Sequence, residues 1–151
     1  MGGRLGRHIP QESNMIDVQP ESFSVDIIGD ATGEQYKGVF KVKPILTQNE
    51  QLARDELART MLGLKSQEAS PRANSQAYIL AEIRIRTVDM PAFWKECKEG
   101  GTLLDENVMG RIYDKIQETE ALWREKKKTE AAQKRGELAN MQPLSTPAKV
   151  G

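Results

Sequence analysis

The residue types that could support nucleophilic or metal chemistry are scarce in this sequence. It contains one cysteine, Cys97, and one histidine, His8. A cysteine nucleophile needs a base beside it, and we expect His8 to lie in an N-terminal segment outside the folded core. A zinc site needs several cysteine or histidine ligands, which this composition does not supply. The sequence therefore predicts no catalytic residue, no metal site and no enzyme, and Cys97 is interpreted as a buried or half-buried structural thiol.

Residues 29–33 contain two glycines, as phosphate-binding loops do. No Lys-Ser pair follows them, and we expect this segment to be the turn of a hairpin and not a loop that opens a helix. Gly100 and Gly101 are more simply explained as a helix stop. Asp105 and Glu106 are acidic residues of the kind favoured at the positive end of a helix macrodipole. We therefore predict no cofactor.

Residues 124–135 carry six basic and two acidic residues, a net charge of +4. Such a segment could contact phosphates. However, Glu125 and Glu130 interrupt it, and no aromatic residue follows Trp123 to stack on bases. The whole chain has 22 basic and 22 acidic residues, so no general attraction to nucleic acid is expected. A solvated helix face is the favoured interpretation.

Two groups of apolar residues are candidates for binding a partner. Phe93 and Trp94 are adjacent, and core packing is their default role. If their helix lies on the surface, they would instead anchor a partner, since tryptophan is enriched at binding hot spots. The second group lies near the N-terminus and consists of Leu5, Ile9, Ile16 and Val18. Their segment is either a disordered tail or an arm that becomes ordered on a neighbouring subunit.

A β-hairpin followed by a helix is the clearest structural signal. Apolar and polar residues alternate in two segments, which predicts two strands. The inward-facing residues of these strands are Phe23, Val25, Ile27, Tyr36, Phe40 and Val42. Thr47 and Glu50 have the spacing of a capping box, so a helix is predicted over residues 48–62. Its apolar stripe, which includes Leu52 and Leu57, is expected to face the sheet.

Three more helices are predicted. Ser70 and Pro71 begin the second, over residues 71–87. Its end also alternates over residues 83–88, so a strand there is an alternative. Asp89 is expected to cap a short third helix, and Asp105 a long fourth helix that reaches residue 138 with an inner stripe ending at Trp123.

These signals predict an α+β fold in which a β-hairpin packs on three or four helices, with extended N- and C-terminal arms. The expected boundaries are residues 1–21 for the N-terminal arm, 22–138 for the domain and 139–151 for the tail. No apolar run approaches the roughly 20 residues of a membrane span, and the N-terminus lacks the apolar core of a signal peptide. We expect no contact with a membrane, and synthesis in a cytoplasm.

A succession of short segments between residues 23 and 123 resembles small structural or assembly proteins of tailed bacteriophages. These segments are Tyr36-Lys37-Gly38-Val39-Phe40, Ile79-Leu80-Ala81-Glu82-Ile83, Pro91-Ala92-Phe93-Trp94, Asp105-Glu106-Asn107-Val108, Ile112-Tyr113 and Trp123. The resemblance implies a part that binds other virion proteins and has no enzymatic residues.

The resemblance leads to two functional hypotheses, and the basic residues of 124–135 and of the N-terminal start lead to a third of another class. The first is a structural subunit of a phage particle, a minor capsid or capsid-decoration protein present in many copies. It would be made in the host cytoplasm, reside in the virion and bind the major capsid protein or other head or tail components through its arms. The alternatives are a tail-assembly chaperone and a small nucleic-acid-associated protein.

Overall fold

The computed structural model describes residues 18–63 and 68–141. The described part is an α+β fold, as the sequence predicts, with a three-stranded antiparallel sheet in the order β1-β2-β3. The elements in chain order are β1 (Glu21–Ile28), β2 (Gln35–Val42), α1 (Gln48–Leu62), α2 (Pro71–Arg86), β3 (Thr87–Asp89), α3 (Ala92–Glu96) and α4 (Glu106–Met141). Among these residues, no helix combines the length and the apolar composition that a membrane span requires.

The predicted hairpin is formed by β1 and β2. Phe23 pairs with Phe40, and their rings stack with centroids 5.4 Å apart. The turn closes through the amide of Gly33, which donates to the carbonyl of Gly29 at 2.9 Å, and Gly33 has a φ of 77° that favours glycine. The alternation therefore places one face of the hairpin in the core, as expected.

Residues 83–88, for which a helix was preferred and a strand was the alternative, are divided between the two. The helix α2 continues to Arg86, and a three-residue strand follows it, in which Thr87 pairs with Val42 of β2. Asp89 is the last residue of this strand, so the prediction that it caps α3 was wrong. Its carboxylate accepts a hydrogen bond from the amide of Met90 at 2.9 Å, and α3 begins after Pro91 without a side-chain cap.

The main core lies between the inner face of the sheet, the end of α2, α3 and the first half of α4. Its buried side chains are Val25, Phe40, Val42, Ile83, Trp94, Val108, Met109, Ile112 and Ile116. The spacing of the last four is that of one helix face. The last buried residue of this face is Ile116, so only the first half of α4 is anchored in the core of the domain.

α1 packs on α2, and the prediction that its apolar stripe faces the sheet was wrong. The contact is made by small side chains, Ala58 of α1 with Ala77 and Ala81 of α2. Leu52 is 66% exposed. The predicted capping box is present, with the amide of Glu50 donating to the Thr47 hydroxyl at 3.1 Å. The capping signal gave the bounds of the helix, but a weak apolar stripe did not identify its neighbour.

Candidate functional site

The predicted partner-binding residues fall in different places. Leu5, Ile9 and Ile16 lie outside the described residues, so their role stays a prediction. Val18 is described and is 38% exposed, just before β1. The position of Val18 leaves it available to a partner, but it forms no cluster with the two aromatic candidates.

Trp94 is completely buried, so it cannot be a surface anchor in this structure. Its ring lies 6.0 Å from that of Phe40, and Phe93 packs edge-on against Tyr36 at 5.4 Å. The core alternative is therefore the one that the structure supports for both aromatic residues. Cys97 is half-buried beside them, and its thiol donates to the Trp94 carbonyl at 3.5 Å.

Asp105 lies directly before α4, at the predicted cap position, and its side chain holds the tip of the hairpin. The carboxylate is fully buried and accepts hydrogen bonds from the amides of Ala31 at 2.7 Å and Thr32 at 2.8 Å. The hydroxyls of Thr32 and Tyr36 each donate to it at 2.6 Å. One carboxylate therefore satisfies four donors of the hairpin and joins it to the beginning of α4.

These hydrogen bonds change the acidity of the groups involved. The hydrogen bond from the Thr32 hydroxyl, followed by that from Tyr36, lowers the pKa of Asp105 from its usual 3.8 to about 2. The same interaction raises the pKa of Tyr36, because its hydroxyl donates to a carboxylate. Asp105 is thus held in its charged form by its hydrogen bonds to the hairpin.

A second buried network lies where α4 leaves the domain. Glu82 of α2 accepts hydrogen bonds from Arg86 at 2.6 Å and from Arg54 of α1 at 2.9 Å. Arg86 also donates to the carbonyl of Pro44 at 2.9 Å and to Glu120 of α4. Both Glu82 and Arg86 are buried, so the network fixes α1, α2 and α4 relative to each other at one point.

Glu120 forms the outer end of this network. Burial acts to raise the pKa of Glu120, but the hydrogen bonds from Arg86 and Arg124 outweigh it and lower the pKa below its usual value. A polar cavity of about 170 Å³ adjoins this group. The charged groups around it are already paired with each other, so the cavity is interpreted as part of the helix junction. Sequence reasoning missed this network, although the spacing of Glu82 and Arg86 on an apolar helix face was a signal for it.

The second half of α4 extends beyond the domain. We call residues 121–141 the projecting half of α4. Within it Trp123 and Lys127 are half-buried, and every other residue is exposed. The ammonium group of Lys127 lies 5.7 Å from the centroid of the Trp123 ring, which is a cation–π contact at the base of the projection. The remaining helix extends about 27 Å from this point at the standard rise per residue.

The described residues contain no group of three or more histidine, cysteine, aspartate or glutamate side chains that could hold a metal ion. Comparisons of the chain with protein-family models, with curated proteins and with solved structures found no match. The candidate functional site is therefore the projecting half of α4, because it continues a helix whose first half is buried in the core and its own side chains are open to a partner.

Proposed function

We propose that this chain is a non-enzymatic structural subunit of a bacteriophage particle. In this role it is a minor capsid or capsid-decoration protein that is present in many copies and binds neighbouring virion proteins. The phage setting comes from the sequence resemblance, and the structural role is supported by the projecting half of α4. The N-terminal apolar residues act in the same proposal as a second attachment.

The observation that carries the proposal is the contrast between the two halves of α4. Val108, Ile112 and Ile116 are fully buried in the first half. In the projecting half, Leu122 and Met141 are 72% and 73% exposed. Helices in proteins gain most of their stability from tertiary packing, and the projecting half has little of it within the described residues. A neighbouring subunit that covers the projecting half would supply that packing.

A tail-assembly chaperone is the second candidate, and a groove between α1 and α2 favours it. The groove has a volume of about 510 Å³, and its walls include Ala58, Leu62 and Ile79. An extended apolar segment of a client protein could lie there. A chaperone would release its client and leave, whereas a structural subunit would stay in the finished particle.

Mass spectrometry of purified particles distinguishes the two candidates. We expect this chain in the particles at a constant ratio to the major capsid protein. Its presence in infected cells and absence from purified particles would contradict the structural role and favour the chaperone.

A pair of truncations tests the attachment. A chain that ends at Lys127 keeps the cation–π contact and the whole core, so we expect it to fold but not to enter particles. A chain that ends at Met141 keeps α4 entire and is the matched control, which should be incorporated normally. Normal incorporation of the shorter chain would show that the projecting half is not the attachment.

A further inference from the structure

The charges of the projecting half are separated between two sides of the helix. At about 100° per residue, five basic residues fall within about one third of the helix circumference. This basic face consists of Arg124, Lys127, Lys128, Lys134 and Arg135. The acidic residues Glu125, Glu130 and Glu137 fall outside it. Glu125 and Glu130 interrupt the basic run in the sequence, but they do not interrupt the basic face.

Most of these basic groups are available to an outside ligand. Arg124 bonds to Glu120 at 2.7 Å, and Lys127 lies 3.3 Å from Glu130. Within the part of the chain that the structure describes, Lys128, Lys134 and Arg135 make no ion pair, and all three are exposed. The face therefore carries positive charge that the protein does not neutralise.

The length of the face suits a regular polyanion. From Arg124 to Arg135 the helix rises about 17 Å. Double-stranded DNA carries one phosphate charge per about 1.7 Å of its axis, so a straight helix with basic residues on one side can contact several phosphates. An anion of this kind needs neither apolar anchors nor aromatic stacking.

The exposed apolar residues that suit the protein neighbour proposed above, Leu122 and Met141, lie outside the basic face, and the basic face itself fits a protein partner less well. Its apolar members are Ala131, which has basic residues one turn before and one turn after it, and Leu138, which follows Lys134 and Arg135. Binding hot spots between proteins are typically aromatic or arginine side chains in desolvated pockets, and the projecting half shows no such pocket within the basic face. Charge complementarity is the interaction that the surface offers.

We propose that the basic face of α4 binds the phosphate backbone of double-stranded DNA without preference for base sequence. This activity goes beyond the structural role proposed above and does not depend on it. Affinity comes from the release of counterions as lysine and arginine neutralise phosphates, so it falls steeply as salt is added.

The test measures fluorescence anisotropy of a labelled random-sequence duplex with the full chain at several salt concentrations. With about four phosphate contacts, the logarithm of the binding constant should fall with the logarithm of salt with a slope of about −3.6. Absence of binding at low salt would overturn the proposal. Competition by polyglutamate as strong as that by unlabelled duplex would overturn the assignment to nucleic acid.

Two charge reversals provide a matched pair on the same helix. Lys128→Glu changes the basic face, and Lys126→Glu makes the same change of net charge outside that face. Both side chains are exposed, so both variants should melt as the wild type does. We expect Lys128→Glu to weaken binding to the duplex about tenfold and to reduce the magnitude of the salt slope by about 1 or more. We expect Lys126→Glu to change the affinity for the duplex by about twofold at most. Equal losses in the two variants would show that net charge alone is responsible and would overturn the assignment to this face.

Discussion

Thr32 and Asp105 are 73 residues apart in the sequence and are joined by two hydrogen bonds, at 2.8 Å from the amide and 2.6 Å from the hydroxyl of Thr32. The turn amides of Ala31 and Thr32 donate to the Asp105 carboxylate. Backbone amides bind a phosphate in the same way in anion-binding turns. Gly29 permits this approach, because a Cβ atom there would lie 2.2 Å from Cγ of Asp105. The protein therefore supplies the anion for this turn itself.

The first prediction concerns stability in acid. The pKa of Asp105 in the folded state, about 2, lies below the usual 3.8 of an unfolded chain, so the unfolded state binds the proton more readily. Its ionised form therefore contributes stability above about pH 4, and this contribution is lost as the pH falls through about 2. We expect the difference in free energy of unfolding between wild type and Asp105→Asn to be largest at neutral pH and to shrink below about pH 4.

Urea denaturation of both proteins between pH 2 and 7, at roughly one-unit steps, measures this difference. Asp114→Asn on the exposed side of α4 is the control for the loss of a carboxylate. A difference between wild type and Asp105→Asn that stays constant over the whole range would contradict the argument.

The second prediction concerns the buried ion pair at the helix junction. Glu82→Ala would remove the buried carboxylate shared by Arg54 and Arg86 and leave Arg86 with Glu120 as its carboxylate partner. Only 1% of the Glu82 side chain and 5% of the Arg86 side chain are exposed, so the loss occurs in a buried site. We expect the free energy of unfolding to fall by about 3–5 kcal/mol. Arg72→Ala breaks an exposed ion pair with Glu106 and should cost less than about 1 kcal/mol. Similar costs for the two variants, measured by urea denaturation, would show that the buried pair has no special role.

The third prediction compares two glycines. A Cβ atom on Gly38 of β2 would lie 2.3 Å from Cβ of Pro91, whereas one on Gly110 of α4 would meet nothing within 4 Å. Gly38→Ala should therefore destabilise the fold by about 1–3 kcal/mol. Gly110→Ala should stabilise it by about 0.5–1 kcal/mol, because alanine loses less conformational entropy in a helix. Thermal melts of the two variants should shift in opposite directions, and a stabilising Gly38→Ala would refute the packing of β2 against Pro91.

The sequence predicts those features that depend on neighbouring residues. Thr47 and Glu50 determine the beginning of α1, Ser70 and Pro71 determine the beginning of α2, and both helices begin where predicted. The two hairpin strands were also predicted from neighbouring residues, because alternation of apolar and polar residues indicates a strand with one buried face. Such local signals also give the α+β class.

Features that depend on distant residues could not be predicted in this way. Asp105 has the sequence context of a helix cap, and only the fold brings the turn at Thr32 to its carboxylate. The short α3 has no periodicity of its own, so sequence left Trp94 with either a core or a surface role until its neighbours were known. The exposure of the projecting half of α4 is a partial exception, because the loss of apolar residues after Trp123 indicated a solvated extension.

The last prediction concerns the two halves of α4. Amide hydrogen exchange is slow where opening a helix requires the core to open, and fast where a helix can fray alone. We therefore expect strong protection around Ile112 and Ile116, and exchange faster by orders of magnitude in residues 128–141.

Adding duplex DNA should slow amide exchange in residues 128–141 of the wild type. A bound polyanion opposes fraying and reduces the charge repulsion along the basic face. Lys128→Glu should show a much smaller gain, and Lys126→Glu should respond as the wild type does. Uniform protection along the whole helix without DNA would mean that the projecting half is held by contacts within this chain, and it would then not be free to serve as an attachment.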